Sequence, residues 1–336
     1  MKPSPKLGRL VLACLSVFAA SLLVWSGPVS AQDEPPAAPQ RVAAPDPDEV
    51  EDAIRRGVMY LYRQRDPALQ WEDVPLSGRE PEVNGETGEQ IGPVQPHGSD
   101  GGQWGGPTSL VTYALLVAGE DYQNQDLTEA VAFLKRHRDD MVGVYGVAMR
   151  AQVWLNLPAT EENRQMMLRD ATFLREAVQG NQRGMPAKRN TGLFDYLARE
   201  TERVDISVSQ YGVLGLWAAA QYGLEVSPEY WSVMEKAWLR YQQPDGGWAY
   251  NGEPRVEPDG DNEDKFAGIF PTSVPMTCAG VASLYITQDY LHAKDGVACR
   301  GNYVNRSIDA GLAFVVGRRL FLDEKRKALD DKCKAR

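Results

Sequence analysis

The chain alternates between stretches that are apolar on nearly every side and stretches that are apolar on one side only. The first kind covers residues 108–119, 144–157, 205–223 and 272–290, and the second kind covers residues 48–65, 126–138, 161–178 and 228–243. A helix that is apolar all round is buried, whereas a helix with one apolar stripe lies at the surface. Residues 305–321 are also helical in pattern, and no run has a convincing strand period. We therefore predict an all-α chain in which buried and surface helices alternate.

The four buried helices begin with similar residues. Their predicted starts are Ser109, Gly146, Ser207 and Ser273, each followed by an apolar residue and, at the sixth position, by a small one. The starts are 37, 61 and 66 residues apart, which indicates an irregular array of helical hairpins rather than a strict short repeat. Aligning the starts predicts two columns of side chains facing a common cavity: Thr112, Met149, Gln210 and Met276, and then Tyr113, Arg150, Tyr211 and Thr277.

A glycine turn with a tryptophan behind it follows the surface helix 228–243. Pro244 presets its φ angle, Asp245 is able to bond its own backbone, and Gly246 and Gly247 accept positive φ. Trp248 comes directly after the turn, at a fixed distance from the helix end. We predict that it is a buried plug between neighbouring helical units rather than a ligand platform.

This stretch resembles the Gln-Trp motif of the squalene cyclase and protein prenyltransferase repeat family. The matching residues are Lys236-Ala237, Trp238, Leu239, Gln242 or Gln243, and Gly246-Gly247-Trp248. Arg56 to Gln64 matches the first half of the motif, with Gln103-Trp104 as a displaced ending. The resemblance covers about residues 50–320 and implies an α/α toroid of inner and outer helices, complete or open. The motif is fairly specific for this fold but poorly specific for an activity.

The catalytic residues that the resemblance implies are not found. Cyclases of the family carry an Asp-x-Asp-Asp cluster, and the corresponding helix start here offers only Asp205. Prenyltransferases of the family hold zinc with Asp, Cys and His, but Met276 stands where an Asp is expected before Cys278. We therefore expect no cofactor and no zinc site. Whether the chain is an enzyme stays open, and the missing groups favour a protein that is not one.

Four residues of the two columns are candidates for ligand binding: Tyr113, Arg150, Gln210 and Tyr211. A cation in an apolar helix is costly unless it is paired. For Arg150 the alternatives are an ion pair with Asp205, Glu200 or Asp170, or a role in binding a ligand. The tyrosines either form an aromatic wall for a sugar or a lipid, or belong to the ordinary core.

Two groups of carboxylates are weaker candidates. Asp195 and Asp205 flank one loop, and a pair of carboxylates about 5–10 Å apart is what a glycosidase requires. Asp259, Asp261 and Asp264 lie in an acidic loop and either coordinate calcium or only solubilise the chain. The three cysteines beyond residue 31 allow a Cys278–Cys299 disulfide, with Cys333 left over, but the residues around Cys278 favour a small core residue.

The first 31 residues have the pattern of a secretory signal peptide. Lys2, Lys6 and Arg9 precede the apolar residues 10–25, and Val29-Ser30-Ala31 supplies small residues before a cleavage site. An uncleaved anchor is the alternative. We expect a Pro/Ala-rich tether over residues 32–47, the repeat domain over residues 48–322 and a charged tail over residues 323–336. The location would be periplasmic or secreted, with no stable membrane span after cleavage near Ala31.

Charge excludes one class of partner. Of 36 basic and 46 acidic residues, three basic ones lie within residues 1–31, which leaves 33 basic and 46 acidic residues and a net charge of −13. This balance argues against a general nucleic-acid binder. We predict an exported, non-catalytic module that binds an isoprenoid, a glycan or a protein partner. The alternative is an enzyme on the same scaffold, either an isoprenoid cyclase-like protein or a polysaccharide lyase or glycosidase.

Overall fold

We describe a computed structural model, in which residues 46–73, 103–179, 192–198, 204–250, 271–292 and 304–318 are placed. Over these ranges the secondary structure consists of helices, turns and isolated bridges, with no β-strand. The helices are α1 Pro47–Arg63, α2 Gly106–Val117, α3 Gln125–Arg136, α4 Val144–Leu155, α5 Glu161–Ala177, α6 Ile206–Gln221, α7 Pro228–Tyr241, α8 Val274–Leu291 and α9 over residues 306–318. The predicted all-α class is confirmed, and the predicted bounds of α1–α8 lie within two residues of the observed ones.

Four helices form an inner row. Helix α4 packs against α2 on one side and α6 on the other, and α6 also packs against α8. The amphipathic helices lie outside this row, with α3 on α2, α5 on both α4 and α6, and α7 on α8. The helices of the inner row are the stretches that are apolar on nearly every side; α4 and α6 are mostly buried, as this pattern predicts, whereas α2 and α8 each leave one side exposed.

Small residues let the inner helices approach closely. A Cβ atom on Gly106 would lie 3.5 Å from the Cα of Gly146, and one on Gly215 would lie 3.0 Å from the Cα of Ala148. The first contact joins α2 to α4 and the second joins α4 to α6. A side chain at Gly215 would therefore push α4 and α6 apart, whereas a Cβ atom at Gly106 would be in ordinary van der Waals contact with α4.

The starts of α2, α6 and α8 are fixed by local hydrogen bonds. Asp205 caps α6, and its Oδ1 accepts a hydrogen bond from the Val208 N–H at 2.9 Å. One turn later the Ser209 hydroxyl donates to the Asp205 carbonyl at 2.6 Å. The same back-bond joins Thr277 to the Ser273 carbonyl in α8, at 2.7 Å, and Ser109 to the Gly105 carbonyl in α2, also at 2.7 Å. These bonds define which residue is the N-cap of each helix.

Trp248 is the buried plug that the sequence predicts. Its ring is completely buried, its Nε1 donates to the Trp238 carbonyl of α7 at 3.0 Å, and its backbone N–H donates to Thr277 Oγ1 of α8 at 3.2 Å. A Cβ atom on Gly280 would lie 2.5 Å from this ring, so only glycine leaves room for it. Trp248 therefore links an outer helix to the following inner helix.

Trp71 makes the same connection between α1 and α2. Its Nε1 donates to the Leu61 carbonyl at 2.8 Å, and its backbone N–H donates to Thr108 Oγ1 at 3.3 Å. The distance along the chain from Leu61 to Trp71 equals that from Trp238 to Trp248. The prediction that Gln103-Trp104 ends the first motif is therefore wrong. The turn before Trp71 contains no glycine, and Gln70 adopts the positive φ, of 60°, instead. The sequence therefore lacks the glycine that would have marked this turn.

No helix in the described part of the chain is long and apolar enough to cross a membrane. Residues 1–45, which carry the predicted signal peptide and most of the predicted tether, lie outside the described residues. The predicted tail over residues 323–336 lies outside them as well.

Replacing Trp248 with alanine tests the plug. We expect the free energy of unfolding to fall by about 3–5 kcal/mol, because a fully buried indole leaves a cavity between α7 and α8. The matched control is Tyr250→Ala, two residues along the chain, where the side chain is 41% exposed and the loss should stay below about 1 kcal/mol. Urea titration followed by far-UV circular dichroism measures both. Equal losses in the two variants would contradict a special role for Trp248.

Candidate functional site

The four inner helices share a set of equivalent positions, counted from the N-cap, at which most side chains are exposed or half-exposed. The N-cap residues are Gly105, Gly143, Asp205 and Ser273. The shared positions are the second, fifth, ninth and twelfth residues after each N-cap. We call these sixteen residues the inner face: Pro107, Leu110, Ala114 and Val117 in α2; Tyr145, Ala148, Gln152 and Leu155 in α4; Ser207, Gln210, Leu214 and Trp217 in α6; Pro275, Cys278, Ala282 and Tyr285 in α8. All are exposed or half-exposed except Ala148 and Gln152, which are buried.

Two hydrogen bonds between equivalent positions show that the inner-face residues of α4 and α6 adjoin one another. At the second position, the Tyr145 hydroxyl of α4 donates to Ser207 Oγ of α6 at 2.6 Å. At the ninth position, Gln152 Nε2 of α4 donates to the Leu214 carbonyl of α6 at 3.0 Å. The inner face is therefore continuous across α4 and α6.

The predicted columns do not coincide with this face. The aligned starts Ser109, Gly146 and Ser207 lie four, three and two residues beyond their N-caps, whereas Ser273 is itself an N-cap. Each residue of error turns a side chain by about 100° around its helix. Of the predicted column residues only Gln210 lies on the inner face, and the buried ones are Thr112, Met149, Arg150, Met276 and Thr277.

Cys278 corrects a second prediction. It was expected to be a small core residue, but it is an exposed free thiol at the fifth position of α8. That prediction rested on the residues around Cys278, whereas its position five residues after the N-cap Ser273 places it on the exposed side of α8. Partial burial raises the pKa of its thiol above the ordinary value. Cys299 and Cys333 lie outside the described residues.

Three tyrosines meet at one end of the inner face. The ring of Tyr145 makes edge contacts with Tyr211 and Tyr196, at centroid distances of 4.8 and 5.9 Å. All three side chains are half-exposed. Tyr211 was predicted as a ligand-binding residue, whereas Tyr145 and Tyr196 were missed because they precede or fall outside the aligned starts. Tyr113 is half-buried on α2, against the main core, and its ligand role stays a prediction.

The phenols of Tyr145 and Tyr113 are neutral hydrogen-bonding groups near neutral pH. Burial, reinforced by the negative charge of Asp205, raises the pKa of Tyr145 far above its ordinary value, and the hydrogen bond to Ser207 offsets this in part. Burial alone raises the pKa of Tyr113. Tyr145 therefore presents a hydroxyl and a ring to a ligand, and not a base.

The candidate carboxylates Asp195 and Asp205 lie on neighbouring segments. The Asp205 N–H donates to the Phe194 carbonyl at 3.0 Å, and both aspartates are buried. Asp205 is the N-cap of α6, so one of its carboxylate oxygens already has a structural hydrogen bond. The candidate calcium ligands Asp259, Asp261 and Asp264 lie outside the described residues.

Arg150 forms a buried ion pair with Asp170 of α5. Its Nε donates to Asp170 Oδ2 at 3.0 Å and its Nη2 donates to Oδ1 at 2.5 Å, while Trp154 Nε1 donates to Oδ2 at 2.7 Å. The side chains of Arg150 and Asp170 are only 3% and 1% exposed. Of the alternatives for Arg150, the ion pair with Asp170 is the one observed. Its position, seven residues after the N-cap, directs it toward α5 and away from the inner face.

A cleft of about 600 Å³ opens beside this ion pair, on the α5 side of α4. Its charged groups largely pair with one another, since Asp139 contacts both Arg138 and Arg169. The cleft therefore presents little unbalanced charge to a ligand. Among the residues that the structure describes, no group of three or more His, Cys, Asp or Glu side chains is placed to hold a metal ion.

Neither a scan of the chain against protein-family models nor a search of curated proteins found a match.

Breaking the buried ion pair should cost more than removing both charges. We expect Asp170→Asn to lower the free energy of unfolding by about 3–5 kcal/mol, since it leaves the Arg150 charge buried without a counter-charge. The double variant Arg150→Met with Asp170→Asn should lose less, because no uncompensated charge remains. Guanidinium titration of both single variants and the double variant measures the coupling. Additive losses would contradict an ion pair that contributes as a unit.

Proposed function

We propose that this chain is an exported repeat module of the squalene cyclase and prenyltransferase type, and that it binds a ligand without catalysing a reaction. On this proposal the inner row is part of an α/α toroid, complete or open, and the inner face is the binding surface. The observation that carries the proposal is the composition of that face. None of its sixteen residues is charged, and it contains the aromatic side chains Tyr145, Trp217 and Tyr285.

This composition favours an isoprenoid over a glycan. A glycan is bound through many hydrogen bonds to its hydroxyl groups, and the inner face offers few polar side chains to make them. An apolar chain gains from contact with aliphatic and aromatic surface at about 25 cal/mol per Å² buried. The Tyr145–Ser207 pair supplies hydroxyl groups at one end. An isoprenoid with one polar end group matches this arrangement.

Export is the sequence-based part of the proposal. It rests on the signal-peptide pattern of residues 1–31, and the expected start of the mature chain is Gln32. The absence of the family's acid cluster and zinc ligands supports a binding role over a catalytic one.

Ligand screening with a matched pair of variants tests the binding surface. Farnesol and maltohexaose serve as the isoprenoid and glycan probes. We expect farnesol to raise the melting temperature, because a ligand that binds only the folded state stabilises it. Leu214→Glu places a charge on the inner face and should weaken farnesol binding at least about tenfold, since the charge must be desolvated.

Leu168→Glu is the control, because Leu168 is an exposed leucine on α5, outside the inner face. Its affinity for farnesol should equal that of the unmodified chain. If farnesol has no effect while maltohexaose stabilises the chain, the isoprenoid assignment is wrong. If Leu168→Glu weakens binding as much as Leu214→Glu, the inner face is not the binding surface.

The buried aspartates favour one alternative, an enzyme that cleaves a polysaccharide with paired carboxylates. Asp205→Asn separates the two functions, because asparagine caps a helix about as well as aspartate does but is not an acid. On the binding proposal the variant keeps its farnesol affinity within about twofold. A reducing-sugar assay over a panel of polysaccharides completes the test. Cleavage by the unmodified chain that disappears in Asp205→Asn would establish the enzyme instead.

A further inference from the structure

Helix α1 has an apolar stripe that the residues described in the structure leave largely uncovered. Val50, Ala53, Ile54 and Gly57 lie on one side of the helix, opposite Met59, and α1 has no fully buried residue. Val50 is 41% and Ile54 is 49% exposed. A Cβ atom on Gly57 would meet no other atom of the described residues within 4 Å. An amphipathic surface helix normally buries such a stripe, and the described part of the chain supplies no surface that covers this one.

The second half of α1 packs against other described residues, and its first half does not. Val58, Leu61 and Tyr62 are half-buried against a small core that includes Trp71 and Leu115. Val50 and Ile54 continue the stripe of Leu61 toward the start of the helix, beyond this core. The uncovered part is therefore the continuation of a packed surface.

Charges along the stripe are self-complementary when two copies of α1 run in opposite directions. Glu51 and Arg55 lie on one flank of the stripe, and Glu49 and Arg56 lie on the other. In an antiparallel helix pair the same flanks of the two helices face each other. With a two-fold axis near Ala53, Glu51 meets Arg55 of the second copy on one flank, and Glu49 meets Arg56 on the other. A parallel pair would instead set like charges side by side.

We propose that a second copy of this chain covers the stripe, through an antiparallel α1–α1 contact with two-fold symmetry. Such an interface is isologous, so each contact occurs twice. Val50 of one copy lies opposite Gly57 of the other, where the missing side chain leaves room for close approach. A contact of two short helices is small, which places the dimer in the weak, reversible class.

Sedimentation velocity of the full chain from about 1 to 100 µM tests the association, a range that suits a weak contact. We expect a reversible monomer–dimer equilibrium. Ile54→Glu should raise the dimer Kd at least about tenfold, because it removes apolar contact twice in each dimer. Met59→Glu is the control, on the opposite and equally exposed side of the helix, and should leave the Kd within about twofold. A chain that stays monomeric throughout, or a dimer indifferent to Ile54→Glu, would overturn the proposal.

A charge exchange tests the antiparallel direction. Glu51→Arg alone and Arg55→Glu alone should each raise the Kd about 3–10-fold, because two exposed attractive pairs become repulsive. The double variant restores opposite charges across the contact, so its Kd should return to within about twofold of the original value. If the double variant associates no better than the single ones, the antiparallel arrangement is wrong. Since the inner face is untouched by these changes, farnesol binding reports separately on the proposed function.

Discussion

The arrangement of the inner row depends on a hydroxyl group placed one turn after the N-cap of an inner helix. Ser209 in α6 and Thr277 in α8 each donate to the carbonyl of the N-cap residue. The same hydroxyls accept the backbone N–H of a preceding aromatic residue, Phe194 for Ser209 at 2.9 Å and Trp248 for Thr277 at 3.2 Å. One hydroxyl thus fixes both the helix start and the ring beside it. Three residues later each helix has a glycine facing that ring, Gly212 toward Phe194 and Gly280 toward Trp248.

Helix α4 reaches the same packing by other means. The residue one turn after its N-cap is Val147, which has no hydroxyl, and the side chain of Gln103 takes over the connection. Its Oε1 accepts the Gly146 N–H at 3.3 Å and its Nε2 donates to the Tyr196 carbonyl at 2.9 Å. The Arg150–Asp170 pair then holds α4 against α5. Because these polar groups face neighbouring segments of the chain, they satisfy one another and leave the inner face without charge.

Hydrophobic periodicity was sufficient to predict the helices, whereas the register between repeats required knowledge of the caps. The bounds of α4 and α5 follow from apolar spacing that is visible in the chain alone. The N-caps Gly105 and Gly143 have no side chain to identify them, and Ser109 has the residue type of a cap although it lies one turn later. Aligning such residues rotates one helix relative to the next, which explains why Gln210 lies on the inner face whereas Met276 is buried. The ion pair of Arg150 was one open alternative, since charge alone does not choose among three acidic partners.

The two ends of the inner face differ in polarity, and on the binding proposal this difference constrains which ligand the face would accept. At the end near the N-caps, Tyr145 and Ser207 form a neutral hydroxyl pair. At the far end Asp289 lies four residues beyond Tyr285 on α8, and burial raises the pKa of its carboxyl. Between them Gln152 uses its amide on the Leu214 carbonyl and Ala148 is covered. Apart from the Gln210 amide and the Cys278 thiol at the fifth position, the middle of the face offers shape and apolar area, and its other hydrogen-bonding groups lie at the ends. If the face binds a ligand as proposed, selectivity would depend on the distance between the ligand's polar group and its apolar chain, and residues at both ends of the face would determine that distance together.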